Sequence, residues 1–93
     1  GLGQGFDTAN ATAALRLSTQ GDNVSVGAVT SVNLNGQVKL WQGGQVVVTW
    51  PVAVGPGRAF GAESSAGGGQ SSAVGVQLLD SAGHLIVQAG SVP

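Results

Sequence analysis

Cysteine is absent from this 93-residue chain, so disulfides cannot supplement its core, and tyrosine and methionine are absent as well. A structural metal is disfavoured on the same kind of ground. The chain has one histidine, His84, and four carboxylates spread along it at Asp7, Asp22, Glu63 and Asp80, which gives no ligand spacing of the sort zinc or calcium sites need. No metal and no other cofactor is expected. Charge is the next scarcity. Only 8% of residues are charged and the net charge is −1, so the several clustered cations that nucleic-acid binding requires are missing. No apolar run approaches the roughly 20 residues of a membrane span, so membrane insertion is not expected. The chain opens on Gly1 without an initiator methionine, which implies an N-terminus exposed by processing.

Glycine, alanine, valine, serine and glutamine fill the space left by the missing types. A chain of this length supports one core, and one core of this size buries only about 60–65% of the unfolded surface. With neither disulfides nor a metal, subunit contacts are the remaining source of additional stability. The sparse charge agrees, since a free monomer normally scatters both signs over its exterior.

Apolar residues alternate with a period of two, which predicts strands rather than helices. Residues 9–19 place Ala11, Ala13, Leu15 and Leu17 on one side and are read as one strand. Gln20-Gly21-Asp22-Asn23 closes it with a turn. Val24 starts a second extended stretch that reaches Val32 and Leu34, with Gly27 marking a bulge or bend. Asn35-Gly36 is a hairpin signal. A three-residue loop over Asn35-Gly36-Gln37 pairs Leu34 with Val38 and Val32 with Leu40, keeping one apolar face.

Gln42-Gly43-Gly44 is the next turn, and Val46, Val48, Trp50, Val52 and Val54 then share a face. Pro51 offers no N–H to a ladder, which marks an edge strand or a bulge. Gly55-Pro56-Gly57-Arg58 fits a type II turn, with glycine at the position of positive φ. Residues 62–72, AESSAGGGQSS, read as a flexible loop. Val74, Val76 and Leu78 lead to a last turn supplied by Asp80 and Gly83, and residues 85–88 return.

About six or seven short strands with regular turns describe an all-β domain: a small antiparallel β-sandwich, with a jelly roll or a small barrel as the alternative. Residues 1–7 are expected to form an N-terminal arm and residues 8–93 the single domain. The runs VNLNGQVKLWQGGQVVVTWPV and AVGVQLLDSAGHLIV resemble immunoglobulin-like modules of bacterial surface proteins and of tailed-phage structural and decoration proteins. The resemblance spans residues 32–52 and 73–87 and concerns architecture alone. The cysteines of antibody domains are missing, so it carries no functional residue by position.

Catalysis would have to be drawn from Asp80, Ser81 and His84, which fall in or beside one turn. No catalytic residue is assigned, and the chain is not expected to be an enzyme. Aromatics are few and therefore informative. Trp50 shares parity with four valines and belongs to the core. Trp41 has the parity opposite to Val38 and Leu40 and should point outward, where a tryptophan marks an interface or a sugar-stacking platform. Leu2 and Phe6 on the arm, Trp41, and Pro51 at the edge are the expected interface residues.

The expected role is a structural subunit of a repeating assembly, such as a phage capsid-decoration protein or a surface filament. Its partners would be copies of itself, a capsid protein or a surface-layer protein, in a virion or at the cell surface. A carbohydrate-binding module built on Trp41 is the alternative. Asn10 and Asn23 match the N-glycosylation pattern.

Overall fold

The structure is a computed structural model that describes residues 6–10, 12–65 and 74–93. It is all-β. The strands are β1 (Phe6–Asn10), β2 (Ala13–Gln20), β3 (Asn23–Thr30), β4 (Leu34–Gln42), β5 (Gln45–Val54), β6 (Ala59–Ser64), β7 (Val74–Asp80) and β8 (Leu85–Gly90). They form two four-stranded antiparallel sheets, β1-β2-β3-β6 and β5-β4-β7-β8.

Leu15, Leu17, Val24, Val26 and Ala28 from the first sheet meet Leu34, Val38, Leu40, Val52, Val76, Leu78 and Val87 from the second in one core. Each fully buried leucine or valine contributes roughly 1.5–3 kcal/mol. Trp50 packs half-buried against that core from β5, on the face its parity indicates.

This is a small β-sandwich with immunoglobulin-like connectivity. Counted from β2, the orders β2-β3-β6 and β4-β7-β8 reproduce the A-B-E and C-F-G orders of the immunoglobulin sandwich. β5 lies beside β4 instead of joining the opposite sheet, and β1 adds a strand outside β2.

Four turns fall where the residues announce them. Gly21 has φ +59, while none of the described residues other than glycine has positive φ, as a type II′ hairpin at Gly21-Asp22 requires. Gly43 and Gly44 both have positive φ, at +61 and +83, the type I′ pattern. At Gly55-Pro56-Gly57-Arg58 the Arg58 N–H donates to the Gly55 carbonyl at 3.1 Å. Gly83 donates to the Asp80 carbonyl at 3.0 Å and closes the last hairpin.

Other expectations are corrected. Residues 9–19 are not one strand: Asn10 faces Ala13 across a hairpin that joins β1 to β2. Phe6 and Asp7 therefore belong to a paired strand rather than to an arm, and Leu2 lies outside the described residues. The stretch from Val24 to Leu34 is broken, because β3 ends at Thr30 and the chain crosses to the other sheet before Leu34. At the crossing the buried Thr30 hydroxyl donates to the Val32 carbonyl at 2.8 Å. Gly27 sits in an unbroken register between Arg16 and Gly61, with no bulge.

Asn35 and Gly36 make no turn. They lie inside β4, where Leu34, Val38 and Leu40 share the inward face. The glycine answers a different need, since a β-carbon on Gly36 would collide with the Leu79 carbonyl of β7. The Gly/Ser-rich loop starts later than composition suggests: Ala62, Glu63 and Ser64 continue β6 against β3, and residues 66–73 lie outside the described residues.

Candidate functional site

The two outer faces of the sandwich carry the side chains that composition singles out. On the β5-β4-β7-β8 sheet the odd residues of β4, namely Asn35, Gln37, Lys39 and Trp41, point away from the core. Trp41 is outward as its parity predicts. It is half-buried rather than fully exposed, and its indole N–H donates to the Gln77 side-chain oxygen at 2.7 Å. Gln77 in turn donates to Gln88 at 3.1 Å. One hydrogen-bonded row thus ties β4, β7 and β8 together on the outer face.

A bulge decides what surrounds Trp41. Leu40 faces Val48, but Trp41 faces Val46, so Val47 is the extra residue on β5. Such a bulge interrupts the alternation. Val46 therefore leaves the inward face expected for it and joins Trp41 outside, with Val46 40% and Val47 44% exposed. An apolar corner of Trp41, Val46 and Val47 results. Alternation alone placed Val47 correctly, opposite in parity to Val48 and Trp50, but missed Val46; the only sign in the sequence was three consecutive valines, 46–48, after a two-glycine turn.

Gly75 lies opposite Trp41 on β7. A side chain there would collide with the Ser91 carbonyl and come within 2.7 Å of Val92 Cγ2. The segment after β8 thus crosses the sheet next to the Trp41 row.

Pro51 faces Gln37 on the same outer face, and β5 is an edge strand as its proline implies. A mid-strand proline is accommodated where its missing N–H would point to the open edge. It denies an incoming strand one hydrogen bond, so this edge is guarded against strand addition.

The outer face of the β1-β2-β3-β6 sheet has the opposite relief. Arg16, Gly27 and Gly61 form one cross-strand row, and Ser18, Ser25 and Glu63 form the next. Around the two glycines lies an open concavity of about 590 Å³, bordered by Arg16 and Glu63. Ser25 Oγ donates to Glu63 Oε1 at 3.5 Å. The Gly61 backbone has no positive φ, and a β-carbon on Gly61 would meet nothing nearer than the Val26 carbonyl at 3.9 Å. The fold itself therefore does not demand glycine there.

Asp80, Ser81 and His84 do come together, as a turn. Asp80 Oδ1 accepts the backbone N–H groups of Ala82 at 3.0 Å and His84 at 2.8 Å. The His84 imidazole lies 3.4 Å from Oδ2 in an exposed pair. The His84 backbone N–H, aided by that of Ala82 and by the imidazole, lowers the Asp80 carboxyl below its ordinary value. A carboxylate held ionised by the backbone it caps is a turn device and is poorly suited to proton transfer near neutrality. Among the described residues no three histidine or carboxylate side chains gather as a metal site would need. No described helix is long and apolar enough to cross a membrane.

A family model described as "YphG-like protein, second domain" matches residues 8–88. No curated protein and no solved structure matches the chain. The match begins within β1 and ends within β8, so it takes in both sheets, the Trp41 corner and the glycine-floored concavity. The chain belongs to the YphG-like protein second-domain family.

Proposed function

We propose that this domain is a non-catalytic structural subunit that works by packing the Trp41 face of its β5-β4-β7-β8 sheet against a neighbouring protein surface. The observation that carries the reading is the apolar corner of Trp41, Val46 and Val47 on the outer face of that sheet. Exposed apolar groups gathered at one place are the usual mark of a protein contact. The scarcity of charge and the guarded β5 edge support a face-to-face contact over strand addition. A virion or an extracellular surface filament is the setting that the resemblance to phage and surface-protein modules favours. Membership of a family described as a second domain adds the setting of one unit in a longer polypeptide.

Hydroxyl-radical footprinting read by mass spectrometry tests the proposal. Trp41, Val46 and Val47 should label strongly in the isolated chain at dilutions where it is monomeric and be protected in the material as it occurs in its native assembly. Equal labelling in both states overturns it.

A carbohydrate-binding module is the second reading, favoured by one observation: Gln37, Lys39 and Thr49 present polar side chains on the same face, with no partner within the described residues. The aromatic is solitary and its N–H is engaged by Gln77, which leaves less for a sugar. Retention on an insoluble polysaccharide that Trp41→Ala abolishes would select this reading.

A further inference from the structure

We infer that the partner of the Trp41 face is the opposite face of a second copy of this chain, so that copies stack head to tail. This rests on the packing role proposed above and names its partner. The two outer faces point in opposite directions from one sandwich, and they differ in character. One carries a half-buried Trp41, its ring held by Gln77, beside the exposed Val46 and Val47. The other carries a glycine-floored concavity of about 590 Å³. Gly61 is required there neither by backbone conformation nor by crowding. Glycine within a strand weakens it, so its presence is accounted for by something that enters from outside.

The charges match in sign and in spacing. Lys39 lies two residues from Trp41 along β4, and Glu63 lies two residues from Gly61 along β6. Two residues of strand span about 6.7 Å in both cases. With the indole seated over Gly61, Lys39 of one copy therefore reaches Glu63 of the next. Arg16 stands in the same cross-strand row as Gly27 and Gly61 and borders the seat of the ring. Because different faces meet, the contact is heterologous and does not close on itself unless the rotation between copies forms a ring. Such an interface yields the repeating assembly that sparse charge and missing cross-links suggest.

Sedimentation velocity of the 93-residue chain over a concentration series, with circular dichroism to verify folding, tests the inference. The wild-type chain should self-associate. Lys39→Glu and Glu63→Lys each set like charges against one another and should weaken association at least about tenfold. An equimolar mixture of the two variants should associate again, because every junction in an alternating stack then joins opposite charges. Gly61→Trp should fill the concavity and leave folded monomers. A wild-type chain that stays monomeric, single variants that associate like wild type, or a mixture that does not recover would each overturn the inference. Its failure is separable from that of the packing role: a monomeric chain whose Trp41 is protected in native material loses only the second copy as partner. An unprotected Trp41 removes both.

Discussion

The indole nitrogen of Trp41 donates to the side-chain oxygen of Gln77 at 2.7 Å across the β4–β7 ladder. The bond fixes an aromatic ring on the outside of a sheet, where it would otherwise sample several rotamers. A fixed ring presents a defined shape and loses less entropy on contact. Gln77 is therefore a positioning residue for the apolar corner, although it belongs to the polar part of the face.

Replacing Gln77 with leucine leaves a half-buried indole N–H without its acceptor and should cost about 0.5–1.5 kcal/mol. Urea denaturation measures that loss. The accompanying signature is a red-shifted, more readily quenched emission from Trp41, read in a Trp50→Phe background. A change in stability without a change in emission would deny Gln77 its positioning role.

Gly36 and Gly61 look alike in the sequence and should respond in opposite ways to alanine. At Gly36 the added carbon collides with the Leu79 carbonyl in the middle of a central strand, so Gly36→Ala should cost at least about 2 kcal/mol. At Gly61 the nearest atom is 3.9 Å away, and the loss of glycine's backbone freedom should stabilise the chain by about 0.5–1 kcal/mol. Paired thermal melts of the two variants decide it.

The Asp80 turn should weaken in acid. Its carboxyl is held below the ordinary value of 3.8, chiefly by the His84 backbone N–H. The native state therefore favours the ionised form. The contribution is present in full above the ordinary value and is lost as pH falls through the lower native one. The stability difference between wild type and Asp80→Ala should accordingly be widest near neutrality and shrink towards zero below that value, as measured by denaturant melts at a series of pH values. A difference that grows in acid would have the wrong sign for this cap.

The turns were legible because each rests on local chemistry. Glycine at a position of positive φ, proline at the second position of a type II turn and an aspartate capping its own hairpin act within four or five residues. The strand parities of Leu15, Leu17, Val38 and Leu40 were legible for a similar reason, since alternation follows from the pleat of a single strand. Asn35-Gly36 misled because its turn preference is local while its fate is not. The close approach of β7, a strand about 40 residues away, needs a glycine at that point and takes precedence over the dipeptide's tendency.

By itself, then, the sequence determined an all-β class, four of its turns, an outward Trp41 and an edge at Pro51. Tertiary structure alone decided which sheet β4 and β5 joined, where β3 ended, and that a bulge at Val47 would move Val46 to the outside next to Trp41. It also decided that Arg16, Glu63 and two glycines from three separate strands would border one concavity. The physical reason is the range of the forces involved. Backbone conformation and pleat act between neighbours in the chain, whereas a face is built from residues that cross-strand pairing brings together after the core has closed.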